Sequence, residues 1–122
     1  MFGFFEKKAI DNNKFNSMVI ATLGETTRTL NRIPTENEFY NSFHNLLKLS
    51  KGNINQSQFN SIQLCGVSLQ MGFGDELLPL LRQLNVEIPQ GGRVSYDKIF
   101  KMMCSHGILF DEHALDFLKK YQ

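Results

Sequence analysis

The sequence predicts an all-α fold with a single compact domain of about six helices. Apolar side chains recur at the three- and four-residue spacing of one helical face, and residues that favour helix N-termini precede several of these stripes. The chain has 122 residues, of which 42% are hydrophobic, which suffices for one core but not for two. We therefore expect residues 1–122 to form one domain, with at most a very short β-bridge between the segments around Ile54 and Val94.

The first two helices are predicted at about residues 13–31 and 36–51. The first carries an apolar stripe at helical spacing, namely Phe15, Met18, Val19, Thr22, Leu23, Thr26 and Leu30. Thr35 and Glu38 then form the pattern of a capping box, in which each side chain accepts a hydrogen bond from an otherwise unpaired amide. Gly52 suits the left-handed conformation that commonly ends a helix.

Four further helices are predicted towards the C-terminus. The third begins near Gln56 and ends before the Gly-Phe-Gly stretch at residues 72–74. Asp75, Ser95 and Asp111 are expected to cap the fourth, fifth and sixth helices, because a side-chain oxygen at that position can accept a bond from the first turn. The fourth helix is rich in leucine and is expected to lie in the core.

Residues 52–59 and 92–99 share an internal repeat. Both read as glycine, one residue, a β-branched apolar residue, four residues and a large apolar residue. Residues 92–103 thereby resemble the second half of an EF-hand of the calmodulin or myosin light-chain type. The stretch 39–103 also resembles the degenerate EF-hand pair in the cytosolic tails of voltage-gated cation channels. The resemblance implies an EF-hand-like helix pair at about 36–105 that binds a protein partner, whereas the alternative is two unrelated helix-turn-helix units.

The loops of this repeat lack the ligands of a calcium site. With Gly52 and Gly92 at loop position six, a calcium ion would need oxygen ligands at several positions and a glutamate at position twelve. Positions one, three, five and twelve hold Leu47, Leu49, Lys51 and Gln58 in the first loop, and Glu87, Pro89, Gly91 and Lys98 in the second. We therefore expect calcium-independent behaviour, with no metal and no other cofactor.

Charge and composition argue against several classes of partner. Thirteen Lys and Arg against twelve Asp and Glu leave a net charge of +1, which provides no basic field for nucleic acid. No stretch has the length and hydropathy of a membrane span, and residues 1–8 lack the apolar region of a secretory signal. A cytoplasmic location is expected, with Cys65 and Cys104 as free thiols rather than as a single disulfide.

No catalytic constellation stands out, so the chain is expected not to be an enzyme. Cys104, His106 and His113 could contribute to a zinc site, but no closing pair of ligands accompanies them. Asp111 and Glu112 could serve as acid/base groups, yet carboxylates in a first helical turn also stabilise the helix dipole, which is the better interpretation.

Apolar residues provide the main functional signal. Eleven Phe and five Met exceed what six short helices need, and methionine adapts to partners of different shape. The candidate partner-binding residues are Phe2, Phe4, Phe5, Phe73, Met102 and Met103. We expect an adaptor of light-chain type that holds an amphipathic helix of another protein.

Two alternatives remain open at this point. The first is a bacterial immunity or inhibitor protein that blocks a toxin domain. It predicts an acidic patch, for which residues 36–38, 111–112 and 116 are the available clusters. The second is an enzyme of an unrecognised kind.

Overall fold

Five α-helices make up most of the residues that the computed structural model describes, which are residues 8–90 and 93–110. They are α1 (Asn12–Leu30), α2 (Glu36–Leu49), α3 (Gln56–Leu69), α4 (Phe73–Glu87) and α5 (Arg93–Ser105), with a 3-10 turn at Ile88–Gln90. No strand occurs within these ranges, and the helices share one hydrophobic core, so the all-α class and a single compact domain are confirmed. The sixth helix predicted from Asp111 lies outside the described residues.

Helix α1 lies at the centre of the fold and packs against all four other helices. It is buried on several sides, and two of its buried threonines bond to carbonyls of the same helix. The hydroxyls of Thr22 and Thr26 donate to the carbonyls of Met18 and Thr22 at 2.7 Å and 2.5 Å, which lets a threonine-rich face enter the core. Leucine-rich α4 packs on α1, α3 and α5, as expected for a core helix.

Side-chain caps define the starts of the first three helices. The capping box of α2 is confirmed: the Thr35 amide donates to Glu38 Oε1 at 2.8 Å, and the Glu38 amide donates to Thr35 Oγ1 at 3.2 Å. A second box, which sequence inspection missed, joins Asn55 and Gln58 at the start of α3. Helix α4 begins after Gly72, whose φ of +91° favours glycine, so the predicted cap at Asp75 is wrong.

Val94 lies in the first turn of α5, so the expected extended segment at this position is wrong. Ser95 is buried inside the helix and is not its cap. Its amide and its hydroxyl both donate to the Glu87 carboxylate, at 3.1 Å and 3.0 Å, so the end of α4 stabilises the start of α5.

The loop before α3 is hydrogen-bonded to the segment that precedes α1, because the Ile10 amide donates to the Asn53 carbonyl at 2.8 Å.

The end of the described chain is fixed on α1. The buried side chain of Asn16 donates from Nδ2 to the Phe110 carbonyl at 2.6 Å and accepts from the Phe110 amide at Oδ1 at 3.2 Å. The rings of Phe15 and Phe110 lie edge to face, with centroids 5.7 Å apart. The chain therefore leaves the described structure beside the N-terminal half of α1.

Candidate binding groove

An open groove runs between α2 and α3 and has a volume of about 420 Å³. Side chains of α2, of α3 and of the connection between them line it. The lining residues are Tyr40, Asn41, Phe43, His44, Leu47, Ile54, Phe59, Ile62 and Gln63. Most of this lining is apolar, and the polar members lie at the rim. We call this feature the α2–α3 groove.

The floor of the groove belongs to the hydrophobic core. Phe43 is 3% exposed and Ile62 is 5% exposed, and the Phe43 ring packs edge to face on Phe15 with centroids 5.8 Å apart. The walls are more open. Leu47 and Ile54 are half-buried, and Phe59 exposes 45% of its surface. The groove thus combines a rigid apolar floor with an exposed aromatic side chain.

The Tyr40 ring lies across α3, and Gly66 leaves room for it. A Cβ at residue 66 would stand 2.6 Å from the Tyr40 hydroxyl oxygen, closer than such atoms approach in proteins. The hydroxyl lies 3.3 Å from Glu36 Oε2 and 3.4 Å from the Gln63 carbonyl oxygen. Partial burial, followed by the nearby Glu36 carboxylate, raises the pKa of Tyr40, so the hydroxyl stays protonated.

Ionisable groups are scarce in this groove. Tyr40 and His44 are the ionisable members of the lining, and no carboxylate is among them. The chemistry of the groove therefore suits apolar contact.

The sequence-predicted partner residues do not line the groove. Phe73 is 4% exposed and Met103 is fully buried, while Met102 is half-buried against the core. The Phe73 ring also packs on His106 with centroids 4.5 Å apart. Phe2, Phe4 and Phe5 lie outside the described residues. A role for these side chains in partner binding stays a prediction, and for Phe73 and Met103 it requires buried core side chains to become exposed.

Sequence inspection did not single out Phe59 and Tyr40 as residues that line a groove, although one signal was present. Residues 52–74 contain no Asp, Glu, Lys, Arg or His. A helix that lies at the surface normally carries charges on its outer face, whereas the centres of interfaces are depleted in charge. This uncharged stretch spans all of α3, Gln56–Leu69.

The candidate metal and acidic sites gain no support from the described residues. Within residues 8–90 and 93–110, no group of three or more His, Cys, Asp or Glu side chains is placed to hold a metal ion. Among the described residues, Cys65 and Cys104 form no disulfide, and burial raises the pKa of the Cys65 thiol. His113 of the zinc hypothesis lies beyond Phe110, outside the described part.

The acidic cluster at residues 36–38 is partly neutralised. Both Glu38 oxygens accept hydrogen bonds from the Arg32 guanidinium at 2.8 Å. This contact, followed by the Thr35 amide, lowers the pKa of Glu38 to about 2. The remaining acidic residues of the predicted patch, at 111–112 and 116, lie outside the described residues.

Comparison of the chain with protein-family models, with curated proteins and with solved structures finds no match. None of the helices formed by the described residues combines the length and the apolar composition that crossing a membrane requires.

Proposed function

We propose that this chain is a non-enzymatic protein-binding module of adaptor type, and that the α2–α3 groove holds an amphipathic helix of a larger protein. The observation that carries the proposal is the groove itself, with its apolar floor and the half-exposed ring of Phe59. Amphipathic helices bind such grooves through apolar anchors spaced by one helical turn. The lining from Tyr40 to Leu47 extends over two turns of α2, which matches two or three such anchors.

Binding is proposed to be independent of calcium. The loop between α2 and α3 contains no carboxylate from Leu47 to Gln58, whereas a calcium site requires several hard oxygen ligands. Gln58, at the closing position, already uses its side chain to hold Ile10 and Asn12. Cys65 and Cys104 form no disulfide in the described part of the chain, which suits a reducing compartment, so we propose a cytoplasmic adaptor.

The test compares two variants that introduce the same residue at different exposed apolar positions. Phe59→Asp alters the groove, and Val86→Asp alters α4, where Val86 is 64% exposed. Each tagged protein captures partners from the cells that make it, with a calcium chelator present throughout. We expect a protein that wild type and Val86→Asp retain and that Phe59→Asp loses.

A synthetic helix from that protein is then titrated into each purified variant. Loss of an aromatic anchor typically costs at least about 2 kcal/mol, so the Kd should rise about thirtyfold or more for Phe59→Asp. An unchanged Kd for Phe59→Asp, or a set of captured proteins that is the same for both variants, would argue against the groove as the binding site.

A further inference from the structure

The fixed charges on the walls of the α2–α3 groove share one sign. Residues 39–74 include every residue that lines the groove, and this stretch contains no Asp, Glu or Arg. Its two lysines are Lys48, in the last turn of α2, and Lys51, in the connection that follows the helix. Both side chains are exposed. The walls therefore offer an occupant two cations and no carboxylate.

The two lysines lie at one end of the groove. Asn41 and His44 line the groove, and Lys48 continues their row, because residues three and seven positions apart lie on the same side of a helix. The connection between α2 and α3 lines the same end through Ile54, and Lys51 belongs to that connection. We call this end of the groove the lysine end.

The segment before α1 does not reverse the sign of the lysine end. It lies against the connection, since the Ile10 amide donates to the Asn53 carbonyl at 2.8 Å. Among the described residues, this part of the chain contributes Lys8, Asp11 and Lys14, of which two are cations. Asp11 Oδ1 accepts from the Lys14 amide at 2.7 Å as the cap of α1. The lysine end is therefore positive overall.

The opposite end of the groove lies beside a carboxylate. Tyr40 lines this end, and its hydroxyl oxygen lies 3.3 Å from Glu36 Oε2. Glu38 follows two residues later, but the Arg32 guanidinium forms a salt bridge with it, so this pair adds no net charge. Glu36 therefore sets the sign here, and we call this end of the groove the acidic end.

Helix α4 adds negative charge near the acidic end. The start of α4 lies beside the segment that leads into α2, because the position that a Cβ would take on Gly74 is 3.0 Å from Ile33 Cγ2. The first turn of α4 contains two carboxylates, Asp75 and Glu76. Arg82 lies about two turns further along α4 and offsets one of these charges. The groove thus has ends of opposite sign.

The two ends act separately on a bound helix. Glu36 and Lys48 both belong to α2, and their separation in sequence corresponds to about 18 Å along the helix axis. The Debye length at physiological ionic strength is about 8 Å, so a charge at one end of the groove is largely screened from the other end. Each end therefore selects the charge of the part of the occupant that lies against it, and complementary charges fix the orientation of a bound chain.

We propose that the occupant of the α2–α3 groove is an amphipathic helix with charges of opposite sign at its two ends, acidic against Lys48 and Lys51 and basic against Glu36. Its apolar anchors contact the groove between these ends, where Phe59 is exposed. This inference rests on the proposed function and adds the charge pattern and the orientation of the partner helix. A helix of the opposite orientation would place like charges together at both ends, which disfavours it.

Two synthetic helices test the charge pattern. They share leucines spaced three and four residues apart, and each has three charged residues at one end only, glutamates in the first helix and lysines in the second. Lys48→Glu reverses a charge at the lysine end, and Lys101→Glu makes the same change on α5, which does not line the groove. An exposed ion pair changes an affinity by up to about fivefold. We expect Lys48→Glu to raise the Kd of the glutamate helix about fivefold without raising that of the lysine helix, and Lys101→Glu to change neither.

A third variant separates failure of this inference from failure of the proposed function. Phe59→Asp should raise the Kd of both helices about thirtyfold, because both use the same aromatic contact. If neither helix binds wild type, or if Phe59→Asp changes neither Kd, the groove is not a helix-binding site and both proposals fail. If Phe59→Asp weakens both helices and Lys48→Glu affects them equally, the groove remains the binding site and the charge pattern is overturned.

Disulfide trapping tests the orientation with a third synthetic helix, which has glutamates at one end and lysines at the other. A cysteine beside its glutamates, activated as a mixed disulfide, can react with Ser50→Cys at the lysine end or with Asn37→Cys at the acidic end. Both positions are exposed, and wild type, with Cys65 and Cys104, gives the background rate. A disulfide requires the two Cα atoms to come within about 7 Å.

We expect Ser50→Cys to cross-link to this helix several times faster than Asn37→Cys. When the activated cysteine is placed beside the lysines of the helix instead, the order of the two rates should reverse, which excludes a difference in thiol reactivity as the cause. The same order with both helices, or equal rates at both positions, would contradict the proposed orientation.

Discussion

The Tyr40 ring can lie close to α3 because Gly66 has no side chain. A glycine inside a helix costs about 1 kcal/mol relative to alanine. Here the exchange would bring a Cβ within 2.8 Å of three Tyr40 atoms, so the ring must move away from α3. The groove keeps its wall because residue 66 has no Cβ.

We expect Gly66→Ala to change its effect with the residue at position 40. In the wild-type background it should lower the free energy of unfolding, because the half-buried Tyr40 ring loses its place against α3. In a Tyr40→Ala background it should raise that free energy by about 0.5–1 kcal/mol, the gain in helix propensity. Urea unfolding of the four proteins of this double-mutant cycle provides the measurement. Stabilisation of the same size in both backgrounds would show that Tyr40 does not restrict residue 66.

The junction between α4 and α5 shows how one helix can organise the start of the next. Glu87 lies at the last position of α4, and its carboxylate accepts from the Ser95 amide, the Ser95 hydroxyl and Gln83 Nε2. The bond from the Ser95 amide is the largest cause of a lowered pKa at Glu87, and Lys98 contributes further. A carboxylate near the first turn also complements the positive end of the helix dipole.

A pH series should reveal this contact. Because the folded-state pKa of Glu87 lies below its unfolded value of about 4.3, its stabilising contribution is present above that pH and disappears as the pH falls through the lower, folded-state pKa. We expect Glu87→Gln to be less stable than wild type at pH 7, with a difference that shrinks below about pH 4. Urea unfolding at each pH tests this. Glu25→Gln, which removes an exposed pair with Arg28, is the control and should change little. A Glu87→Gln difference that is the same at every pH would exclude the carboxylate as the cause.

Local signals predicted some element boundaries and missed others for identifiable reasons. The Thr35–Glu38 box lies within four consecutive residues, so the start of α2 follows from the sequence alone. The start of α5 depends on Glu87, which is eight residues before Ser95 and belongs to another helix. A serine before an apolar run resembles a cap, and only the packing of α4 on α5 reveals that Ser95 lies inside the helix instead.

At the scale of the whole molecule, periodicity predicts the helices but not their neighbours. Phe43 belongs to the apolar stripe of α2. Such a stripe could face the core or a partner, and the burial of Phe43 places it in the core. Whether Phe59 is buried or exposed depends on which helix lies beside α3, and that arrangement depends on long-range contacts. The excess of apolar residues predicts a partner surface that includes Phe73 and Met103, whereas the open groove lies at the first half of the repeat.

Calcium should leave the stability of the whole protein unchanged. In the first repeat, the side chain of Gln58 at the closing position donates to Ile10 and Asn12 and is fully buried, so a metal would have to displace these contacts. In the second repeat, Lys98 places a cation at the closing position and Glu87 is held by Ser95. Neither loop can direct several carboxylates at one ion.

The measurement is the melting temperature at rising calcium concentration, with magnesium at equal ionic strength as the control. A site with a Kd of 0.1 mM would stabilise the fold by about 1.4 kcal/mol at 1 mM calcium, because only the folded state binds. For a domain of this size, that would raise the melting temperature by several degrees. We expect superimposable curves with both ions. A rise with calcium alone would show that side chains other than those at the repeat positions form a calcium site, and would contradict the prediction of calcium-independent binding.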